Sequence, residues 1–407
     1  MYYTLNDNVY IVEGKCRSCI YDLNESRLFS INKNLSDKLI AINENKLLKS
    51  EIDNELKNVL DCLLKNGLIK YSKIHSSNNI KEIAIENTNC KFAWIEITNK
   101  CNLKCKHCYN ESDENRNLTM QLDDFYQIID CLSKMGVPKI QITGGEPFLV
   151  KENLRKMLDY SVGKFSCIEI FTNGTLITDE WFEYFQQNNI RIALSVYSYI
   201  EQMHDSVTGV KDSFKRTNNT IKELKKHNVH YRVCNVLMNG IELGNKNTDL
   251  YTLNKEKDVV RVTGRASLDL LNDDLIRKRL ITKKTFQKPI TKSFCKRLIS
   301  GHNCFNDKIY ISANLDVFPC VMERRVKHGS FRGNKLNLVN DIRKITKDKI
   351  NSCSECEYRC ACFDCRPNSL DKELNEKPWY CTYNPETGEW MDEDEFIQTI
   401  KARIRKI

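Results

Sequence analysis

Between residues 92 and 265 short apolar runs alternate with helical ones, and this alternation limits the fold more than any other feature of the chain. The strand-like runs are AWIEIT, KIQIT, IEIFT, RIALSV, HYRVCNVL and VVRVTG. Between them, helical periodicity is predicted near 122–135, 152–162, 179–188 and 214–227. Strict strand–helix alternation requires a parallel sheet with right-handed crossovers. Six such strands predict an α/β fold, a partial (β/α)6 barrel over residues 90–290. In barrels of this kind chemistry collects at the C-terminal ends of the strands. Those ends carry Cys101, Gly144, Thr172-Asn173-Gly174 and Ser195.

Cys101, Cys105 and Cys108 follow the first strand in the segment WIEITNKCNLKCKHCY. Three thiolates on one loop can hold three irons of a [4Fe–4S] cube and leave the fourth iron open, whereas structural clusters close with four cysteines. A zinc knuckle is the competing use of such a triplet. After KIQIT comes Gly144-Gly145-Glu146-Pro147. Together the triplet and this second motif resemble the radical S-adenosylmethionine (radical SAM) superfamily. The resemblance implies that the amine and carboxylate of SAM chelate the open iron, with the Gly144-Gly145 backbone and Glu146 receiving the amine. It implies that Tyr109, directly after the last cysteine, packs on the adenine or covers the cluster. His107 holds the variable position before that cysteine. Thr172, Asn173 and Ser195 are expected at the ribose or methionyl group. SAM's carboxylate calls for a cation, and Arg216 is the one arginine between the fourth and fifth strands. Guanidinium suits a carboxylate; a surface arginine is the other reading of Arg216. Gly264-Arg265 ends the sixth strand and is expected to face the cavity. In the family, reductive cleavage of SAM yields a 5′-deoxyadenosyl radical that takes a hydrogen atom from substrate. That step needs no general base, so the catalytic acid or base stays unknown.

The chain has 407 residues, room for two or three domains. No run approaches the ~18 consecutive apolar residues of a spanning helix, and the N-terminus MYYTLNDNVYIVEG lacks the basic start and apolar block of a signal peptide. With 19 cysteines and no such signal, metal thiolates are expected over disulfides, in a cytoplasmic, oxygen-sensitive protein. The formal charge of +9 counts every cysteine as a neutral thiol; three clusters would lower it to roughly +4. That balance suits an acidic partner such as a flavodoxin or ferredoxin electron donor, or an acidic peptide leader. No nucleic-acid motif is present, and no membrane association is expected.

Residues 1–73 read as a separate unit: the strands YYTL, NVYIVE, SCIYDL and RLFSIN, then the amphipathic helices NLSDKLIAI and EIDNELKNVLDCLLKNGL, then LIKY. A polar linker is expected over 74–89. Strands followed by two helices form a winged-helix-like α+β module, similar to the RiPP recognition element that holds the leader of a ribosomally made peptide. A leader can add as a strand to an exposed sheet edge; a structural cap on the barrel is the plainer role.

From 291 to 407 the chain is rich in cysteine: Cys295, Cys304, Cys320, Cys353, Cys356, Cys360, Cys362, Cys365 and Cys381. The pattern resembles the SPASM extension of peptide-modifying radical SAM enzymes, which holds two auxiliary [4Fe–4S] clusters; zinc ribbons are the alternative. The resemblance assigns Cys295, Cys304, Cys320 and Cys365 to one cube, and Cys353, Cys356, Cys362 and Cys381 to the other. Cys360 is then surplus, although the shifted spacing leaves Cys360 and Cys365 interchangeable. Anaerobic sulfatase maturases place a carboxylate after the third of these cysteines, where this chain has Val321. The stretch CSECEYRCACFDCRP looks like maturases of the ranthipeptide and sactipeptide type. The implied activity is thioether formation, cysteine sulfur to carbon, in a precursor peptide. C–C crosslinking, epimerisation or dehydrogenation on the same scaffold is the second reading, and a non-catalytic iron–sulfur electron carrier the third.

Overall fold

β-branched and aromatic residues at alternating positions make the first four short runs strands, and a fifth closes the unit after two helices. The computed structural model describes residues 2–44, 52–72, 78–85, 89–256, 258–302, 304–333, 335–339, 342–366 and 375–404. Of the expected linker, 74–77 and 86–88 lie outside the described residues.

The N-terminal unit comprises β1 (Tyr2–Leu5), β2 (Val9–Glu13), β3 (Arg17–Asp22), β4 (Arg27–Asn32), α1 (Lys33–Asn43), α2 (Asn54–Lys65) and β5 (Ile69–Ser72). Asn32 and Asp53 cap the two helices by accepting from the Leu35 and Leu56 N–H groups. β2, β3 and β4 form an antiparallel sheet, and β1 pairs with β5. Ile20 of β3 packs with Leu39, Ile42, Leu56 and Leu60 in a small core. The next residues along β3, Cys19 and Tyr21, point the other way into a second core shared with the cysteine-rich segment. Two-sided burial explains why this strand alternates less than its neighbours. Tyr21 Oη donates to the Glu357 carbonyl at 2.9 Å, and Lys15 N to Glu355 O at 2.8 Å. The unit is therefore seated on the C-terminal third.

The barrel follows with β6 (Phe92–Glu96), α3 (Leu122–Lys134), β7 (Lys139–Thr143), α4 (Lys151–Ser161), β8 (Cys167–Thr172), α5 (Asp179–Gln187), β9 (Arg191–Ser195), α6 (Glu201–Thr208), α7 (Ser213–Lys226) and β10 (Tyr231–Cys234). After it come α8 (Asp273–Arg277), α9 (Lys292–Ile299), β11 (Lys308–Ile311), β12 (Asp316–Phe318), β13 (Gly329–Arg332), β14 (Lys335–Leu338), β15 (Tyr383–Asn384), β16 (Glu389–Trp390) and α10 (Glu393–Ile404). The large sheet has the order β10-β9-β8-β7-β6-β11-β12-β13-β14, parallel from β10 to β11 and antiparallel beyond. Ile95, Ile140, Ile142, Ile170, Ile192 and Leu194 face the helices and pack with Phe125, Leu158 and Phe185. Residues of the opposite parity line the inner face.

The expected sixth strand differs. VVRVTG makes a single parallel bridge, Leu237 to Val259, and no strand. Gly264 ends the run at φ +59°, a left-handed conformation that turns the chain into the cysteine loop instead of along β10. The sixth parallel strand is β11, which joins β6 from the far side and carries the sheet past the expected boundary at residue 290.

Leu60 is fully buried in the N-terminal core. Leu60→Ala is expected to cost that unit about 2–5 kcal/mol. Hydrogen exchange should show protection lost in β1, β5, α1 and α2 and retained in β6 to β9.

Candidate functional site

The cysteine triplet sits on an irregular loop leaving β6, and the loop is held by backbone groups of its neighbours. Cys101 N donates to Asp113 O at 3.0 Å, Lys104 N to Thr208 O at 2.9 Å and Lys106 N to Val207 O at 3.0 Å. Gly145 N donates to Thr98 O at 2.7 Å and Glu146 N to Lys100 O at 2.8 Å. A Cβ on Gly144 would stand 2.5 Å from the Thr98 carbonyl oxygen, and one on Gly145 would land on the Lys100 carbonyl. Both glycines are thus needed for the close approach of two strand ends. From the other side, a Cβ on Gly264 would meet Cys108 O at 2.6 Å. Arg265 donates through Nη1 to Cys105 O at 3.0 Å and through Nη2 to Ser112 O at 3.1 Å.

The three thiols line a cavity of about 180 Å³ together with Tyr109, Gly144, Gly145, Thr172, Asn173 and Ser195. Sequence reasoning missed Tyr197, Arg261, Thr263 and Met322, which line it too. Tyr197 hydrogen-bonds the Cys105 thiol, and its ring meets His107 edge-on at 4.8 Å. No spacing rule marked it, because it lies past a strand end in a loop. Burial first, then Glu146 and Cys108, push the Cys101 thiol up to about 12 against the lowering pull of the Leu103 N–H. Burial and the other two thiols raise Cys105 as well. Three thiolates packed this way require cations among them. Leu103 N and Ser112 N donate to the sulfurs of Cys101 and Cys108, at 3.4 Å each. His107 Nδ1, buried in the same wall, has no hydrogen-bond partner among the described residues. These groups fit a cluster with one exchangeable corner. Among the described residues no three His, Cys, Asp or Glu side chains close on a point for a single metal ion. A cube spreads its thiolates over separate corners.

Two expected contacts are corrected. Glu146 is fully buried and does not line the cavity. Its carboxylate accepts from Thr172 Oγ1 at 2.7 Å, Asn173 N at 2.8 Å and Phe148 N at 3.1 Å. It clasps the β7 and β8 loops together. Arg216 is exposed on the outer side of α7. The inner side of α7 instead supports the FTNGT loop, Thr217 Oγ1 donating to Asn173 O at 2.8 Å and Thr220 Oγ1 to Gly174 O at 2.6 Å. The cation in the cavity wall is Arg261.

Cys304, Cys320 and Cys365 form a second group. Burial, Cys304 and Cys365 push Cys320 up to about 12, and Arg261 Nε donates to Cys365 Sγ at 3.4 Å. Through Arg261 and Met322 this group adjoins the cavity of the triplet. Cys353, Cys356, Cys362 and Cys381 line a separate recess. Cys295 is a further correction: it lies apart from the second group. It is buried beside Cys360 and Cys19 in the contact of α9 with β3, among apolar side chains. Helix α9 turns it toward the N-terminal unit.

Burial raises Glu146 from 4.5 to about 7 despite three donors. Between those values the folded chain holds a proton that the unfolded chain has released. Stability of the metal-free chain should therefore fall as pH rises through this window, at no more than about 1.4 kcal/mol per pH unit. Urea unfolding should show wild type losing stability relative to Glu146→Gln from about pH 5 to about pH 7; parallel profiles would refute the assignment.

Residues 95–247 match the family model described as Radical SAM superfamily. The antilisterial bacteriocin subtilosin biosynthesis protein AlbA of Bacillus subtilis (strain 168) is 40% identical over 144 residues, 35% of this chain and 32% of AlbA. The sporulation killing factor maturation protein SkfB of the same organism is 29% identical over 136 residues, 33% of each chain. The chain spans about a third of the length of these curated relatives. Among solved structures, Streptococcus suis SuiB bound to precursor peptide SuiA aligns with a TM-score of 0.55 at 15% identity, over 92% of this chain and 98% of that one. AnSMEcpe with bound AdoMet and the Cp18Cys peptide aligns with a TM-score of 0.51 at 16% identity, over 77% of this chain and 98% of that one. At these identities the structures show a shared fold. The triplet, the two glycines and the strand ends assembled around one cavity lie within or beside the residues, 95–247, that are similar to the radical SAM superfamily.

Proposed function

We propose that this chain is a radical SAM peptide maturase that forms thioether links in a ribosomally made precursor. The observation that carries the reading is the grouping of thiols: Cys304, Cys320 and Cys365 beside the SAM cavity, and Cys353, Cys356, Cys362 and Cys381 behind them. The likeness to AlbA, a bacteriocin biosynthesis protein, and to SkfB, a killing-factor maturation protein, supports a peptide substrate. So does the peptide bound to the SuiB structure.

Cys101, Cys105 and Cys108 would hold the SAM cluster, which supplies the electron that releases a carbon radical from SAM. The chain's own residues bind and orient. Arg261 offers the SAM carboxylate a guanidinium, Asn173 and Ser195 offer polar contacts, and Tyr109 and Phe171 give apolar wall. Thioether formation removes a hydrogen atom from carbon, a proton from sulfur and one further electron, so an electron acceptor is required. The four-thiol recess can hold a closed cube for that role. Cys304, Cys320 and Cys365 would hold a second cube by three thiolates, which would supply a place for a soft donor from the peptide. Residues 1–73 would hold the leader, with β4 at the edge of its sheet, and a flavodoxin or ferredoxin would deliver electrons. Among the described residues no helix is long and apolar enough to cross a membrane.

The test is anaerobic reaction of the reconstituted chain with the precursor encoded beside it. Thioether formation predicts loss of one alkylatable thiol per link together with 5′-deoxyadenosine. A mass change that spares every thiol would move the reading to carbon–carbon links or epimerisation. The triple variant Cys101→Ala, Cys105→Ala, Cys108→Ala should lose about four irons and all 5′-deoxyadenosine. Cys295→Ala should keep about twelve irons per chain, whereas Cys304→Ala should lose part of a cluster. Iron loss on Cys295→Ala would restore it as a ligand.

A further inference from the structure

Beneath the SAM cavity the inner face of the barrel holds a second, open cleft of about 450 Å³. Phe92, Trp94, Gln141, Glu169, Arg232 and Lys308 stand in its wall. The two spaces are stacked along the same strands. Glu169 and Arg232 line the lower space, while Phe171 and Cys234, two residues further along the same strands, line the upper. Two residues of strand rise about 6–7 Å. The belt between the two spaces is polar: Arg232 grips Glu169 through Nε and Nη2, 2.8 Å each, and its Nη1 reaches Cys234 Sγ at 2.7 Å. Gln141 Nε2 donates to the same carboxylate.

The charge of the cleft is one-sided. Its two carboxylates are already paired, Glu169 with Arg232 and Asp307 with Arg297 at 3.6 Å. Lys91, Lys139 and Lys308 line it and form no ion pair among the described residues. Lys308 Nζ instead lies 5.8 Å from the Trp94 ring, which meets Phe92 edge-on at 4.7 Å. Lysines around an aromatic floor suit an extended chain that carries both carboxylates and apolar side chains. A compact inorganic anion would leave the rings unused.

The geometry points to this lower cleft as a subsite for an acidic segment of the peptide substrate, gripped by Lys139 and Lys308 over Trp94 while the neighbouring segment reaches up past Arg232. The assignment rests on the peptide reading above. It adds a charge preference below the SAM cavity, at residues that line only the lower cleft.

The test is equilibrium binding to the cluster-loaded full chain, read without turnover. A short rhodamine-labelled Gly–Glu peptide is compared with Gly–Gln and Gly–Lys counterparts by anisotropy. The Gly–Glu peptide should bind at least about tenfold tighter than the Gly–Gln peptide and weaken with salt. The double variant Lys139→Glu, Lys308→Glu should lose about tenfold or more of that affinity. A nitroxide-bearing Gly–Glu peptide should quench tryptophan emission in wild type and much less in Trp94→Phe, a milder change that guards against misfolding of the double variant. Equal binding of all three peptides, or affinity untouched by charge reversal, overturns the proposal. Binding of inorganic tripolyphosphate with no binding of the Gly–Glu peptide overturns it too. Failure of the maturase reading would appear separately, as a precursor left without mass change.

Discussion

The site depends on backbone packed against backbone. The cysteine loop has no regular structure, so its position is set by what its amide groups meet: Asp113 O, Thr208 O and Val207 O around it. Gly144 and Gly145 bring the β7 end against Thr98 and Lys100, and Gly264 brings the 259–266 segment against Cys108 and Tyr109. Each contact is possible because a side chain is missing. Glu146 then secures the second tier by tying the β8 loop to the first. Its burial opposes its charge, and three donors only partly offset that cost. The motif that catches the eye in the sequence therefore serves as a joint between strands.

The parts legible in the sequence are those where local pattern decides. α3, α4, α5 and α7 start and stop close to the expected bounds because amphipathic periodicity fixes them. β6 to β9 follow from apolar runs buried on the helix side. What failed needed long-range information. VVRVTG has the composition of a strand, yet its hydrogen bonds go to one bridge and a turn, and β11 takes the sheet edge. α6 is short and went unread. Arg216 satisfied a count of arginines but lies on the wrong side of its helix, a phase set by Thr217 and Thr220.

The auxiliary cysteines show the same division. Spacing groups Cys353, Cys356 and Cys362 because they share one compact turn-rich segment. Cys295 is separated from its assumed partners by the end of α9, and helix phase turns its thiol toward Cys19 and Cys360. Spacing cannot register such a rotation. Three thiols in a greasy contact between modules pack as small apolar side chains do.

The pairing of β6 with β11 has a consequence for assembly. Tyr310 donates to Glu96, 214 positions earlier, and the two strands share a full parallel register. During synthesis β6 emerges early and keeps an open edge until β11 arrives. The wait carries a loop-closure cost and the hazards of an unpaired strand. Yet the Glu96 carboxylate also holds Asn110, on the loop that presents the triplet. The last parallel strand to dock is thus linked through one side chain to the loop that carries the cysteine triplet. Docking of β11 and placement of the triplet loop are therefore coupled through Glu96.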